Sequence, residues 1–307
     1  MSSNILIIGT NGFLGQNVKS LLKDSKENIF EIEGKEHVNL LIEDEIEDYL
    51  SKNRVEKIIN CSAFVGGISY GYKYPVEMLI HNTQMTINLY NAASRNGVER
   101  IVNPISNCAY PGDIEVYKEE NFWEGPPHSS VFHYGMSRRN IIIISGAFEK
   151  QFSLESSNVV LSNMYGPRDH FDVERSHALG ALVKKFCDAK INGENKVEIW
   201  GTGEPIREWL YVEDGATALT KALDVDASHS FFNVGVNQGI SIKDLSKKIS
   251  NEVSWEGDFV FDTSKPDGVS RKTVDGTLGE QILKWAPEVD IDTGIKMTVK
   301  WYMDTYE

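Results

Sequence analysis

The sequence predicts an α/β fold: a Rossmann-type, doubly wound parallel sheet followed by a smaller α/β substrate-binding domain. Three observations carry this. Short apolar runs alternate with helical patterns through the first 162 residues, as in a parallel sheet with helices on both faces. The first run, Asn4-Ile5-Leu6-Ile7-Ile8, is almost wholly apolar, as suits a strand buried on both sides. A glycine-spaced turn, Gly9-Thr10-Asn11-Gly12-Phe13-Leu14-Gly15, then leads into a helical pattern over 12–22.

Taken in order, segments at 29–32 and 57–61 read as further strands, with a helix over 43–53 between them. Residues 75–96 read as a long helix opening with Pro75, whose ring is preorganised for a first helical turn. A strand at 100–105, a loop, a helix over 134–152 and a strand at 158–162 follow. Beyond residue 163 the pattern loosens, with helices near 176–190, 212–223, 242–252 and 293–302 and short strands at 197–200 and 231–234. No repeat, low-complexity tract or Pro/Ser-rich linker intervenes. The expected division is therefore a dinucleotide-binding domain over 1–162, to which 209–236 returns, and a mainly substrate-binding domain over 163–307. The cleft between them is the expected site.

Composition narrows the function. The 307 residues are 41% hydrophobic and carry 45 acids against 31 Lys and Arg, for a formal charge of −14. Such a field disfavours nucleic acid and anionic membranes as partners. No apolar run approaches the ~18 residues that span a bilayer, and 1–4 lack a signal-peptide pattern. Cys61, Cys108 and Cys187 show no metal-ligand spacing, so no metal site is expected, and their odd count suits a reduced, cytoplasmic protein. Asn60-Cys61-Ser62 matches a glycosylation sequon but ends an expected buried strand. The acidity is not uniform: residues 133–187 carry a net +2.

In the glycine turn, Gly9, Gly12 and Gly15 suit a tight bend and a close approach of backbone to a diphosphate, with the helix amides of Phe13 and Leu14 beyond. An ordinary strand-to-helix turn is the alternative, and the strand–turn–helix context favours dinucleotide binding. After the second strand, Glu33 is placed to accept hydrogen bonds from an adenosine ribose, which favours NAD over NADP. Lys35, two residues on, is suited to a 2′-phosphate instead, and a solvated charged loop explains both.

Further motifs follow in order: Ala63-Phe64-Val65-Gly66-Gly67-Ile68, Ser106-Asn107-Cys108-Ala109-Tyr110-Pro111, Asn163-Met164-Tyr165-Gly166-Pro167-Arg168-Asp169, Ser176-His177 and Trp200-Gly201-Thr202-Gly203. Arg207-Glu208-Trp209-Leu210-Tyr211-Val212-Glu213-Asp214 and Lys265-Pro266-Asp267-Gly268 complete them. With the GxxGxxG spacing, the chain resembles the extended short-chain dehydrogenase/reductase family over its whole length, and within it the GDP-L-fucose synthases.

That resemblance implies a nicotinamide-dependent epimerase/reductase acting on a GDP-linked 4-keto-6-deoxy sugar. It implies that Ser106 and Tyr134 polarise the C4 oxygen while Tyr134 moves a proton. Where the family has Lys one turn after that Tyr, this chain has Arg138. The i,i+4 spacing keeps both on one helix face, and Arg supplies the positive charge, but it cannot exchange protons at neutral pH. Adequate substitution, slowed hydride transfer and binding without turnover are the three readings. The resemblance further gives Cys108 and His177 as the acid/base pair that epimerises C3 and C5, inert packing being the alternative. Ser106 and Cys108 lie two apart after a strand, so an extended chain would point them to one face. The resemblance also assigns Gly9, Gly12, Phe13, Leu14, Gly15, Glu33, Ala63 and Arg138 to the cofactor. It assigns Asn163, Lys185, Trp200, Arg207 and Lys272 to the substrate, with surface solubility as the competing role of the bases, above all Lys272. Asp214 reads as a helix N-terminal acid. The helices over 75–96 and 134–152 imply a homodimer through a four-helix bundle, though core packing explains their apolar residues equally well. Two rivals remain: an NAD-dependent C4 dehydrogenase or epimerase of a GDP-hexose or GDP-heptose, and a nucleotide-binding regulator without turnover, for which Arg138 is the argument.

Overall fold

The first strand shows how the sheet is built. In β1 (Asn4–Ile8), Ile5 and Ile7 pack into one apolar cluster and Leu6 and Ile8 into another, so successive side chains are buried on opposite faces. That is why the run is apolar without alternation. The computed structural model describes residues 2–171, 178–226, 230–265, 267 and 269–306, with only the backbone of Ile68. In the first half, β1 is followed by α1 (Phe13–Leu22), β2 (Asn28–Ile32), α2 (Glu43–Asn53), β3 (Lys57–Asn60), α3 (Ile68–Lys73) and α4 (Pro75–Arg95). Then come β4 (Arg100–Ser106), β5 (Val116–Tyr117), α5 (Phe132–Phe152) and β6 (Glu155–Leu161). The second half holds β7 (Asn163–Tyr165), α6 (Ala178–Asn192), β8 (Lys196–Trp200), β9 (Ile206–Tyr211), α7 (Val212–Lys221), β10 (Phe232–Val234) and β11 (Gly239–Ser241). It ends with α8 (Ile242–Val253), β12 (Asp258–Asp262), β13 (Arg271–Val274), α9 (Thr277–Leu283) and α10 (Ile291–Tyr306).

The central sheet runs β10-β6-β4-β3-β1-β2, and every neighbouring pair is parallel. Strand order reverses between β1 and β3, the crevice where open α/β sheets bind ligands. One face is covered by α1 and α7, with Val18, Ala216 and Leu219 against Ile5 and Ile7. The other is covered by α2 and α4, with Ile46, Leu50 and Leu89 against Leu6 and Ile8. At about 1.5–3 kcal/mol per large apolar side chain, these contacts favour one strand register strongly.

A second sheet, ordered β11-β9-β13-β5 with β7 beside β9, lies beyond the ends of β4 and β6. Its strands are two to six residues long and pair partners distant in sequence, such as Thr273 with Val116. Asn233 on β10 ties the two sheets: it accepts from the Tyr110 hydroxyl (2.8 Å) and donates to the carbonyls of Tyr117 and Asp275 (3.1 Å each). A third apolar cluster, including Phe186, Ile199, Leu245 and Tyr302, joins α6, α8 and α10 to the two-stranded β8–β12 sheet. No helix of the described residues is long and apolar enough to cross a membrane.

Candidate active site

The glycine turn lies at the carboxyl end of β1. Gly9 adopts φ +84°, and a Cβ there would meet the Cys61 carbonyl at 3.1 Å, so both conformation and space require glycine. A Cβ on Gly15 would overlap the Gly9 carbonyl oxygen. Gly12 caps α1 with no side-chain hydrogen bond, and the first turn holds no acid. The amides of Phe13, Leu14 and Gly15 therefore present free donors and the positive end of the helix dipole. The turn is fixed from outside by Gly9 N–H donating to Ile32 C=O (2.7 Å). Glu33 follows β2 and is exposed; its carbonyl accepts the Asn11 N–H at 3.4 Å, and its carboxylate makes no hydrogen bond or ion pair among the described residues. Lys35 is exposed too, 3.9 Å from Glu36.

After β3, the segment holding Ala63 is pinned by Asn82 of α4. Its side chain accepts from the Phe64 N–H at 2.8 Å and donates to the Phe64 carbonyl at 2.9 Å. Ser106 ends β4 and caps a 3₁₀ turn over Asn107–Ala109. The expectation of an extended Ser106–Cys108 segment is thereby corrected. The Ser106 Oγ accepts the Cys108 N–H at 3.2 Å and bends the chain at once. Both residues stay half-buried at the same strand end.

Tyr134 and Arg138 project from α5, with the guanidinium carbon 5.1 Å from the phenol ring centroid. Arg138 is only 4% exposed, and its Nε has no hydrogen-bond partner among the described residues. Burial pushes the Tyr134 phenol above its ordinary value, the Arg138 charge works against that rise, and Cys108 adds to it. Burial likewise lowers Arg138, opposed by Tyr134. A buried cation with an unsatisfied donor beside a tyrosine fits a bound nicotinamide ribose, and the glycine turn after β1, where a Cβ would meet backbone, fits a diphosphate.

The residues expected to hold substrate fall into two groups. Arg207 on β9 and Lys272 on β13 are register partners, and both are half-buried. Burial lowers Lys272, the nearby Cys108 opposes this, and Arg207 lowers it further. Lys272 is half-buried rather than fully solvated. Arg207 is lowered by burial and supported by Tyr117 and Asp267. The second group centres on Trp200, which is 64% exposed, with the ammonium groups of Lys185 at 5.8 Å and Lys265 at 5.7 Å from its rings. Lys185 also donates to the Glu198 carbonyl at 2.8 Å. Asp267 bridges the groups, accepting from Thr202 N–H and Oγ1 through its carboxylate and from Arg207 through its carbonyl. Asn163 donates to the Glu208 carbonyl at 3.0 Å. His177 lies outside the described residues. Asp214 accepts from the amides of Glu288 and Val289 instead of serving its own helix, and so ties α7 to the chain leading into α10.

Three residues that sequence reasoning passed over shape the site. Tyr117 lies beside Arg207, and fully buried Glu208 accepts from the amides of Val236 (2.8 Å) and Val274 (2.7 Å). Burial pushes the Glu208 carboxyl up to about 7. Arg139 binds the loops around Cys108. Glu208 stood inside a recognised motif, but Tyr117 and Arg139 carried no local signal.

The model of the NAD-dependent epimerase/dehydratase family matches residues 5–235, most of the chain. This chain belongs to that family. Among its curated relatives within this epimerase/dehydratase group, GDP-L-colitose synthase of Yersinia pseudotuberculosis is 32% identical, covering 98% of each chain. GDP-L-fucose synthase of Escherichia coli (strain K12) is 27% identical over 99% of this chain and 97% of its own. The solved GDP-L-fucose synthetase of Naegleria fowleri bound to NADP superposes with a TM-score of 0.90 at 27% identity, covering 99% of this chain and 95% of that one.

Proposed function

We propose that this protein is a nicotinamide-dependent epimerase/reductase of a GDP-linked 4-keto-6-deoxy sugar, combining C3/C5 epimerisation with C4 reduction. The observation that carries the reading is the shared wall at the end of β4. Ser106 and Cys108 sit on one turn, beside Tyr134 with its buried Arg138. Groups for carbonyl protonation and for exchange at the adjacent carbons thus lie together. Full-length similarity to GDP-L-fucose and GDP-L-colitose synthases supports the substrate class.

In this mechanism the bound nicotinamide supplies the C4 hydride. Ser106 Oγ, already accepting the Cys108 N–H, keeps its own hydrogen for the C4 oxygen. Tyr134 delivers a proton to that oxygen as charge develops there, with the fixed Arg138 charge moderating the acidity lost to burial. Cys108 exchanges a proton at a carbon next to the ketone, where the C4 carbonyl stabilises the carbanion as an enolate; His177 is its partner by its place in the Ser176-His177 motif. Arg207 and Lys272 hold the diphosphate by charge-assisted hydrogen bonds. Gly9, Gly12, Gly15, Phe13 and Leu14 would hold the cofactor diphosphate, and Ala63 and Arg138 would hold its nicotinamide ribose. Because Arg138 retains a buried charge against Tyr134, we favour turnover over a purely regulatory role.

For the cofactor, unpaired Glu33 supports NAD, while exposed Lys35 beside it and the NADP-bound Naegleria relative support NADP. We take NADPH as the reductant; a dissociation constant clearly lower for NADH reverses that choice. A homodimer through α4 and α5 is supported by Ile80 and Ile143, which are 54% and 58% exposed on helices that already pack together. The central test incubates the protein with GDP-4-keto-6-deoxymannose and NADPH in deuterium oxide. Deuterium at C3 or C5 with stoichiometric cofactor oxidation supports the reading, and neither signal at micromolar enzyme rejects it.

A further inference from the structure

Helix α5 carries two i,i+4 pairs side by side, and only one of them, Tyr134 and Arg138, belongs to the machinery above. The other is Gly135 and Arg139. A Cβ on Gly135 would stand 2.5 Å from the Cys108 carbonyl oxygen and 2.8 Å from Pro127 Cβ, so the Cys108 carbonyl rests directly on the helix backbone. One turn on, Arg139 donates its Nε to the next carbonyl, that of Ala109, at 2.7 Å. Its Nη2 donates to the carbonyls of Phe122 (2.7 Å) and Gly125 (2.8 Å), and its guanidinium lies 5.3 and 5.4 Å from the Phe122 and Trp123 rings.

Arg139 is 6% exposed, and among the described residues its hydrogen bonds go to neutral carbonyls. Desolvating it costs several kcal/mol, and an apolar side chain of similar volume would fill the space at least as favourably. What Arg139 adds is direction, since a planar fork holds three carbonyls at set angles. On its other side the Cys108 amide is held by Ser106 Oγ. The backbone around Cys108 is thus held on both sides, while its thiol makes no hydrogen bond among the described residues.

We propose that Gly135 and Arg139 are positioning residues that hold the Cys108 turn in register with Tyr134, so that one helix sets both the C4 group and the proton-exchange group. The role of Cys108 in exchange rests on the function proposed above; the clamp itself does not, and one readout is chosen to be independent of substrate.

The experiment compares wild type with Arg139→Met, Arg139→Lys and Gly135→Ala. The primary readout is alkylation by iodoacetamide, followed residue by residue by mass spectrometry. Cys61, whose thiol burial pushes up to about 12, and buried Cys187 serve as internal references. The clamp predicts that Cys108 alkylation changes about fivefold or more in Arg139→Met and Gly135→Ala, with the references and nicotinamide affinity within about twofold of wild type, and partial return in Arg139→Lys. Deuterium exchange into the 4-keto sugar should fall about tenfold or more in the same variants. Unchanged Cys108 alkylation, or an equal change at Cys61, overturns the proposal. If Arg139→Met does not fold, Gly135→Ala and Arg139→Lys decide between these outcomes. Wild type that exchanges no deuterium counts against the proposed function, and the alkylation result still decides the clamp.

Discussion

The two edges of the site are built in opposite ways. At the cofactor edge, seven consecutive residues from Gly9 to Gly15 form a cradle from backbone alone, and its requirement is that atoms be missing. At the proposed substrate edge, Cys108, Arg207 and Lys272 come from three segments spread over more than 160 residues, and the requirement is that side chains be present and half-buried. The first edge is broken by adding a methyl group, the second by removing a charge. In the proposed mechanism, Tyr134 and Arg138 join the two edges.

Substitutions at each edge and at their junction test that contrast. The largest effect is expected at the junction: Tyr134→Phe should lower kcat by on the order of 10²–10⁴-fold while both ligands still bind, as measured by steady-state kinetics and cofactor titration. Retained kcat would remove Tyr134 from the proton path.

Next comes Glu208, buried beneath the substrate edge. Its carboxyl titrates at about 7 when folded against an ordinary 4.5. Between those values the folded chain holds a proton that the unfolded chain has lost, so stability falls as pH rises from about 4.5 to about 7. The drop amounts to on the order of 2–3 kcal/mol. Thermal melts across this range should show the decline, and Glu208→Gln should flatten it while lowering Tm at pH 5, because one amide acceptor is lost.

Arg207→Gln should raise KM for the nucleotide sugar about 10–100-fold and leave the cofactor dissociation constant unchanged. Gly15→Ala should do the reverse, weakening cofactor binding and costing on the order of 1–3 kcal/mol of stability through overpacking against Gly9. If both variants affected both ligands alike, the division into two edges would fail. The smallest change is expected from Arg138→Lys, which keeps the charge beside Tyr134; hydride transfer in single turnovers should alter by less than about fivefold, whereas Arg138→Met should lose far more.

How much of this was legible varied by region. Most elements of the first half were readable, some to the residue, as with 43–53 for α2 and 4–8 for β1, while the short α3 and β5 were missed and β6 begins three residues before the expected 158. Strands β5, β7, β9, β11, β12 and β13 were not anticipated. They are two to six residues long and stabilised by partners far along the chain, so no local period marks them. Within the site, motifs located Ser106, Cys108, Tyr134 and Arg138, but not the 3₁₀ turn that presents Cys108, nor the use of Arg139.

By itself the sequence determined the alternating α/β order and the glycine turn, because each depends on contacts within a few residues, while the motif resemblance supplied Ser106, Cys108, Tyr134 and Arg138 as candidates. Only the tertiary structure decided that Lys272 is half-buried beside Arg207, that Arg138 is a buried cation with an unsatisfied donor, and that α5 packs on the Cys108 carbonyl and binds that of Ala109. Burial and charge proximity are properties of chains brought together from a distance, and no stretch of one chain encodes them locally.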